Sequence, residues 1–163
     1  RLGRQPYTGF FGCLSARDKA IVSEAMEMVG VGHLGSRHVA TLSDGERQKA
    51  MIAKALAQQT PVIILDEPTA FLDVANRLEL LMLLRDISHS QNKSVMMSIH
   101  DVSSVIPVAD ELWLVVPSSH EDAESEVLSG TSAELTASGA MQRLFPDRNI
   151  TFDPLRGDFI LHP

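Results

Sequence analysis

The chain is poor in cysteine, in aromatic side chains and in basic side chains. Its single cysteine, Cys13, excludes an internal disulfide and is typical of a reducing compartment. Only 14 basic residues stand against 21 acidic ones, and the net charge of −7 argues against non-specific binding to nucleic acid, which needs a basic surface. No stretch approaches the roughly 20 consecutive apolar residues of a membrane-spanning helix.

The size and the apolar content are sufficient for one folded domain. The 163 residues fit a single domain, and 44% of them are hydrophobic, which supports a real core. The sequence opens RLGRQPYTG, without an initiating Met, and we therefore expect it to be a piece of a longer protein.

The most informative stretch is residues 61–73, PVIILDEPTAFLD. Its aliphatic run, residues 62–65, predicts a strand buried on both faces. Asp66 and Glu67 follow, and Pro68 ends the strand because it has no N–H to donate. The two acids are therefore expected at the carboxyl end of a central strand, where α/β sheets bind ligands. One carboxylate there can hold a hydrated Mg²⁺ while its neighbour acts on water. The alternative is a strand that ends in a polar turn.

Periodicity and chain breakers predict the order of the elements. A helix begins at Ser15, where residues 15–18 fit a capping box, and ends at Gly30 and Gly32. The other predicted elements are helices at 43–59, 74–90 and 101–109, strands at 62–66, 94–99, 112–116 and 127–130, one or two helices in 132–145, and a hairpin at 149–161 that turns near 156–157. Residues 1–14 and 118–126 are predicted loops. The β-α-β-α-β order predicts an α/β fold with a largely parallel sheet.

A second candidate segment is LSDGE, residues 42–46, at the predicted start of a helix. Ser43 can cap this helix, and Glu46 can close a capping box with it. The same geometry suits a phosphate, because the N–H groups at a helix N-terminus are unpaired and the helix dipole is positive there. Gly45 would let the phosphate approach the backbone closely. Both interpretations stay open at this point.

Two single residues complete the set of candidates. His100 directly follows the strand predicted at 94–99, so we expect it at the same sheet edge as the acidic pair. A lone His has a structural role more often than a catalytic one, and that alternative is open. Asp73 precedes a predicted helix, and a plain N-cap explains it fully.

Four segments occur in a fixed order: LSDGE, VIILDE, FLD and SIHD. The ordered set resembles the ATPase subunit of ABC transporters, over roughly residues 1–135. The segments correspond to that family's signature motif, Walker B motif, D-loop and switch histidine. The resemblance implies a P-loop NTPase-like, three-layer α/β fold with a largely parallel sheet, truncated here. It also implies that residues 1–42 are part of the ABC helical subdomain. Residues 43–163 would then be the C-terminal part of the ATPase core, with the terminal hairpin.

The resemblance implies nucleotide contacts for three residues. Ser43 and Gly45 would contact the γ-phosphate of an ATP held by the opposite subunit of a dimer, and Asp73 would lie across the dimer interface. Two positions depart from the family pattern: Asp44 stands where Gly is usual, and Glu46 where Gln is frequent. A carboxylate near a triphosphate is unfavourable unless it points away or meets a cation.

The catalytic roles implied by the resemblance fall on the sheet edge. Asp66 would hold Mg²⁺, partly through water, Glu67 would be the general base that activates the attacking water, and His100 would contact the γ-phosphate. The phosphate loop G-x-x-x-x-G-K-[ST] is missing, because no Gly in this sequence is followed by Lys. The family places that Walker A loop upstream of the signature, so the chain is expected to carry only part of its own nucleotide site.

The start of the chain indicates a branch of the family. GRQPYTG, residues 3–9, resembles the GR-x-P-Y/H segment of importers for iron–siderophore, haem and cobalamin complexes. This resemblance implies a transmembrane permease, a second ATPase subunit in a homodimer, and indirectly a periplasmic binding protein. It also implies a peripheral position at the cytoplasmic face of the inner membrane. The cargo is not defined by the sequence, because the permease and its binding protein choose it.

Two other functions were weighed against import. A cassette ATPase of DNA repair or chromosome structure usually carries coiled-coil or zinc insertions, whereas this chain has no sustained heptads, a single Cys and an acidic balance. A non-catalytic regulatory cassette usually lacks the base, whereas Glu67 and His100 are both present.

Overall fold

The computed structural model describes residues 3–4, 14–117, 125–146 and 149–162. The chain divides into two compact units, Arg1–Ile99 and His100–Pro163. The loops predicted at 1–14 and 118–126 lie mostly outside the described residues, as does the GR-x-P-Y segment after Arg4. The subdomain boundary expected after residue 42 differs from this division and stays a prediction.

The first unit begins with two helices that pack against each other, α1 (Ala16–Met28) and α2 (Asp44–Leu56). The predicted capping box starts α1, because the Ser15 hydroxyl accepts from the Asp18 N–H and Asp18 Oδ2 accepts from the Ser15 N–H, both at 3.1 Å. The other carboxylate oxygen, Asp18 Oδ1, accepts from Arg4 Nε at 2.8 Å. Both side chains of this ion pair are buried, so Arg4 ties the start of the chain to α1.

A parallel pair of strands follows, β1 (Val62–Leu65) and β2 (Ser94–Met97), with α3 (Val74–Gln91) between them in sequence. This is the predicted β-α-β arrangement. In the register of the pair, Val62 lies opposite Ser94 and Leu65 opposite Met97. α3 begins at the predicted N-cap Asp73 and ends at Asn92, whose φ of +49° is the left-handed conformation that closes many helices.

One hydrophobic core joins the helices of the first unit to β1. Its buried members in α2, β1 and α3 are Ile52, Ala53, Leu56, Ile63, Leu80, Leu84 and Ile87. α1 adds Ala25, and Val29, Val31 and Leu34 follow it. This core covers the face of β1 on which Ile63 lies.

The prediction that the strands are buried on both faces is wrong. Ile63 is 3% exposed, whereas its neighbour Ile64 on the opposite face is 74% exposed, and Met96 of β2 is 45% exposed on that same face. The arc of α3 is also narrower than predicted, because Leu78 and Met82 are exposed. An aliphatic run shows that both faces of a strand are suited to burial. It does not show whether the described residues contain an element that packs on each face.

The second unit contains α4 (Val102–Val105), β3 (Leu112–Val116), β4 (Glu126–Gly130), α5 (Ser132–Ala137), β5 (Ile150–Asp153) and β6 (Asp158–Leu161). β3 pairs antiparallel with β4, so the third strand departs from the expected parallel order. Trp113 and Val115 are exposed on β3, which alternates rather than being buried on both faces. The predicted terminal hairpin is present, and it turns at Gly157, whose φ of +63° suits glycine.

Two smaller findings concern the helices. Asp101 stands at the N-cap position of α4 without the predicted side-chain capping bond. In the part of the chain that the structure describes, no helix combines the length and apolar character needed to cross a membrane.

Candidate functional site

The acidic pair lies at the carboxyl end of β1, as predicted. Asp66 and Glu67 follow the last paired residue, Leu65, and both are exposed. The ladder to the neighbouring strand continues one step further, because the Ser98 N–H donates to the Leu65 carbonyl at 3.0 Å. Ser98 is thereby placed beside the pair. Its hydroxyl donates to Asp66 Oδ1 at 2.6 Å and accepts from the Glu67 N–H at 2.9 Å.

The backbone of Glu67 is in an unusual conformation. Its φ is +43°, in the left-handed region that only glycine and asparagine adopt readily. Such a conformation costs roughly 1–2 kcal/mol for another L-residue and persists where the surroundings impose it. Here the next residue, Pro68, is fully buried, and the Glu67 N–H is held by Ser98. The proposed base therefore lies on a turn that is fixed at both ends.

The signature-like segment forms the start of α2. The Ser43 hydroxyl accepts from the Glu46 N–H at 3.3 Å, and Glu46 Oε2 accepts from the Ser43 N–H at 2.8 Å. The hydrogen bonds from the Ser43 backbone N–H and then from its hydroxyl lower the pKa of the Glu46 carboxyl below its usual value. The capping box predicted from the sequence is therefore formed. The Ser43 hydroxyl thus accepts from the Glu46 N–H and donates to the Glu46 carboxylate, so a phosphate would have to replace that carboxylate as the acceptor of the O–H.

The two unusual carboxylates of this segment both have partners. Asp44 Oδ1 pairs with the Arg47 guanidinium one turn along α2. Glu46 is engaged in the capping box with Ser43. The sequence indicates repulsion between these acids and a triphosphate unless a cation is near. For Asp44, the Arg47 guanidinium is that cation.

A side-chain bridge connects this segment with the D-loop. The Asn76 N–H donates to Asp73 Oδ1 at 2.9 Å, and its side-chain amide donates to Asp73 Oδ2 at 2.7 Å. A Cβ added to Gly45 would lie 3.4 Å from Asn76 Oδ1, so the Asn76 amide lies close to Gly45. Lys49 and Glu79 form a second link between α2 and α3, with 3.4 Å between Nζ and Oε2. The candidate residues Gly45 and Asp73 are thus brought together.

Asp73 is an anion that its own helix stabilises. The Asn76 backbone N–H, and after it the Asn76 side-chain amide, lower the pKa of the Asp73 carboxyl below its usual value. Its side chain is exposed at the N-terminus of α3. The N-cap role inferred from the sequence is therefore confirmed, while a role across a dimer interface stays a prediction.

His100 is exposed and is the first residue of the second unit. Ser98 and Ile99 separate it in sequence from the end of β2 at Met97. Its contact with a phosphate stays a prediction.

Mg²⁺ fits the donor set at the strand end. The described residues contain no group of three or more His, Cys, Asp or Glu side chains arranged to hold a metal. Mg²⁺ does not need one, because it keeps several waters and is bound by one or two carboxylates together with substrate phosphates. Asp66 is an exposed hard-oxygen donor, and the Ser98 bond uses one of its two oxygens. The carboxylate keeps lone pairs for a metal-bound water.

Sequence reasoning missed Ser98 and Asn76. Ser98 was assigned to the interior of a strand at 94–99, whereas β2 ends at Met97. The parallel register, continued by one step, places Ser98 opposite Asp66, and no local sequence signal shows that register. Asn76 lies at the third position of α3, where an N-cap carboxylate accepts backbone N–H groups, and its polar side chain was the available signal.

Comparisons with known proteins agree with this arrangement. The family model described as "ABC transporter" matches residues 4–70. The cobalamin import ATP-binding protein BtuD of Halobacterium salinarum is 42% identical over 122 residues, which are 75% of this chain and 30% of that protein. The ferric enterobactin transport ATP-binding protein FepC of Escherichia coli is 31% identical over 163 residues, 99% of this chain and 58% of that protein.

A solved structure extends the similarity to the fold. An ABC transporter in an inward-facing conformation matches with a TM-score of 0.79 at 27% identity, over 99% of this chain and 62% of that chain. The expected P-loop NTPase-like α/β fold is thereby confirmed. The chain spans about a third to three fifths of the length of the proteins it matches. It belongs to the family of ABC-transporter ATP-binding proteins.

Proposed function

We propose that the chain is part of an ATP-hydrolysing subunit that powers an ABC importer. One observation carries the proposal. The family's four motifs occur in order, and the two carboxylates of the second motif lie at the carboxyl end of a strand in a parallel pair. That edge is where α/β sheets bind ligands.

In the proposed reaction, water attacks the γ-phosphate of ATP, the bond from the γ-phosphorus to the β,γ-bridging oxygen breaks, and ADP leaves with that oxygen. Glu67 accepts the proton of the attacking water, and Asp66 is the carboxylate that would hold Mg²⁺, partly through water. Mg²⁺, when bound, neutralises charge that develops on the phosphates. His100 donates to the γ-phosphate. The phosphate loop that would complete the site is not encoded in these 163 residues.

The opposite side of the nucleotide is supplied by a second copy of the subunit. Ser43 donates its O–H to the γ-phosphate of the ATP held by that copy, and Gly45 lets the phosphate approach the start of α2. The Asp44–Arg47 pair supports this role, because it reduces repulsion between the extra carboxylate and the triphosphate. The α2 dipole adds a favourable term for an anion at this end.

The proposed partners are a transmembrane permease, the second ATPase subunit and, indirectly, a periplasmic binding protein. The subunit would lie peripherally at the cytoplasmic face of the inner membrane. The proposed cargo is an iron–siderophore, haem or cobalamin complex, and the names of the cobalamin and ferric enterobactin relatives support this class.

Reconstitution tests the proposal. The complete subunit is expressed with its permease, and uptake of radiolabelled ferric siderophore, haem and cobalamin is measured in cells that lack their own importers. We expect ATP-dependent uptake of one of the three, and loss of that uptake in the Glu67→Gln variant. Absence of a complex with any permease, or an ATPase rate that rises with DNA instead, would contradict the transport function.

A further inference from the structure

The hydroxyl of Ser98 joins the two carboxylate positions of the proposed site. Residues 62, 64 and 66 of β1 and its extension face the same side of the sheet as residues 94, 96 and 98 of β2, because the parallel register pairs Val62 with Ser94 and Ile64 with Met96. Continued by one step, the register pairs Asp66 with Ser98. The bond from the Ser98 N–H to the Leu65 carbonyl, 3.0 Å long, shows that the ladder reaches this step.

The two hydrogen bonds of this hydroxyl have different consequences. The O–H donates to Asp66 Oδ1 at 2.6 Å, and a charge-assisted bond of this length fixes the plane of the carboxylate. The same oxygen accepts from the Glu67 N–H at 2.9 Å. Glu67 has a φ of +43°, and this left-handed backbone conformation sets the direction of its side chain. The bond from its N–H to Ser98 therefore helps to hold that direction.

We infer that Ser98 is a positioning residue of the hydrolytic site: its hydroxyl orients Asp66 towards the metal's water shell and holds Glu67 in the conformation that aims its carboxylate at the attacking water. The inference rests on the proposed function. It assigns no contact between Ser98 and the nucleotide. The two bonds require one short-armed oxygen that both donates and accepts, which the hydroxyls of Ser and Thr provide.

The test compares three variants of the complete subunit assembled with its permease. Ser98→Ala removes the hydroxyl, Ser98→Thr keeps it, and Ser94→Ala removes a hydroxyl from the same face of the same strand, four residues away. We measure kcat and KM for ATP, the Mg²⁺ concentration that gives half-maximal rate, and the melting temperature. Mutation of a residue that hydrogen-bonds to a metal ligand typically lowers metal affinity or activity by about 10–100-fold. We therefore expect kcat to fall about 10-fold or more in Ser98→Ala and the Mg²⁺ requirement to rise.

The controls separate positioning from simple folding. KM for ATP is expected within about twofold of the parent in Ser98→Ala, since uniform nucleotide binding is untouched. Ser98→Thr is expected to restore most of kcat, and Ser94→Ala to match the parent. A Ser98→Ala variant with parental kcat and Mg²⁺ dependence would overturn the inference. The inference would also be overturned if kcat fell in both Ser98→Ala and Ser98→Thr in proportion to a fall in melting temperature.

A second readout is independent of turnover. Amide hydrogen exchange at Glu67 reports the bond from its N–H to Ser98. We expect faster exchange in Ser98→Ala than in the parent and in Ser98→Thr, and parental exchange in Ser94→Ala. Unchanged amide hydrogen exchange at Glu67 in Ser98→Ala refutes the inference, even if the subunit shows no ATPase activity. If instead exchange responds as expected while the complete parent subunit, assembled with its permease, releases phosphate from ATP no faster than a buffer control, the positioning bond exists and the proposed function is wrong.

Discussion

At the scale of single residues, the proposed hydrolysis depends most on Glu67. Glutamine has nearly the same shape as glutamate but does not accept a proton, so Glu67→Gln tests the base without disturbing the turn before Pro68. In the complete subunit we expect ATP binding to be retained and hydrolysis to fall by about 10²–10⁴. Nucleotide binding by equilibrium dialysis and phosphate release measure the two effects. Undiminished turnover would show that another group activates the water.

Gly45 distinguishes the structural role of its segment from the functional one. An alanine Cβ would lie 3.4 Å from Asn76 Oδ1, which is an ordinary contact, and alanine suits a helix better than glycine. We therefore expect Gly45→Ala to leave the free energy of unfolding unchanged or to raise it by at most about 1 kcal/mol. ATP hydrolysis by the complete dimer should nevertheless decline, because the methyl group obstructs the approach of a phosphate. Parental hydrolysis in this variant would leave the segment with its capping role alone.

The residues of the site were only partly predictable from the sequence. The motifs give Ser43, Asp66, Glu67 and Asp73 directly, and the structure confirms their positions at a helix start, a strand end and an N-cap. They do not reveal that Ser98 bridges Asp66 and Glu67, because this depends on the register between two strands whose paired residues are 32 positions apart in sequence. Asn76 was missed because its proximity to Gly45 depends on how α3 packs beside α2, which no local sequence pattern shows.

At the scale of elements, the helix starts share one device. Capping boxes begin α1, α2 and α5, formed by Ser15 with Asp18, Ser43 with Glu46, and Thr131 with Glu134. The boxes at Ser15 and Ser43 were predicted from the sequence. The box at Thr131 was not, because the sequence prediction gave only one or two helices within residues 132–145, without a defined first residue. The limits of the strands were less predictable, and so was the exposure of their outer faces. These depend on which layers pack against a strand, and a local apolar run does not contain that information.

The capping boxes make stability depend on pH in a definite direction. Hydrogen bonds from the backbone N–H and side chain of the capping residue lower the pKa of Glu46 and of Glu134. A depressed carboxyl pKa stabilises the fold above the unfolded value of about 4.3, and the contribution is lost as the pH falls through the lower folded value. We expect the free energy of unfolding to be level near pH 6 and to fall below about pH 4.5, measured by urea denaturation.

A double variant with two neutral side chains isolates the contribution of Glu46 and Glu134. Glutamine also closes a capping box, so Glu46→Gln combined with Glu134→Gln keeps both helix starts but removes two titrating groups. Every other ionisable group is shared with the parent. The difference in unfolding free energy between the two proteins should therefore narrow as the pH is lowered from 6 to 3. A constant difference over that range would mean that these carboxylates do not contribute to acid sensitivity.

At the scale of the whole molecule, the missing phosphate loop determines activity. No Gly is followed by Lys anywhere in the 163 residues, so no P-loop lysine of the G-K type is present to neutralise the phosphates. We expect this chain by itself to hydrolyse Mg-ATP at the rate of a buffer control, measured by phosphate release. The Glu67→Gln form of the same chain serves as the matched blank. Turnover well above buffer that disappears in this form would contradict the prediction.

The outer face of the β1–β2 sheet is apolar and predicts self-association of the chain. Val62, Ile64 and Met96 are 47%, 74% and 45% exposed on it, and in the described residues each of the two strands pairs with the other alone. An unpaired strand edge beside an apolar face is a template for another chain. The net charge of −7 opposes association but does not satisfy the unpaired N–H and C=O groups.

We therefore expect the chain of 163 residues to associate at high concentration in sedimentation or light-scattering measurements, through this face. Ile64→Lys puts a charge at its most exposed position and should weaken association about 10-fold or more, since burial of one such side chain contributes about 1.5–3 kcal/mol. Leu155→Lys, at a position 98% exposed in the hairpin of the second unit, adds the same charge and should have a smaller effect. A clean monomer with sharp cooperative unfolding would show that the two-stranded sheet is stable with its outer face in water. Equal effects of the two lysines would mean that charge alone, and not the outer face of β1 and β2, controls association.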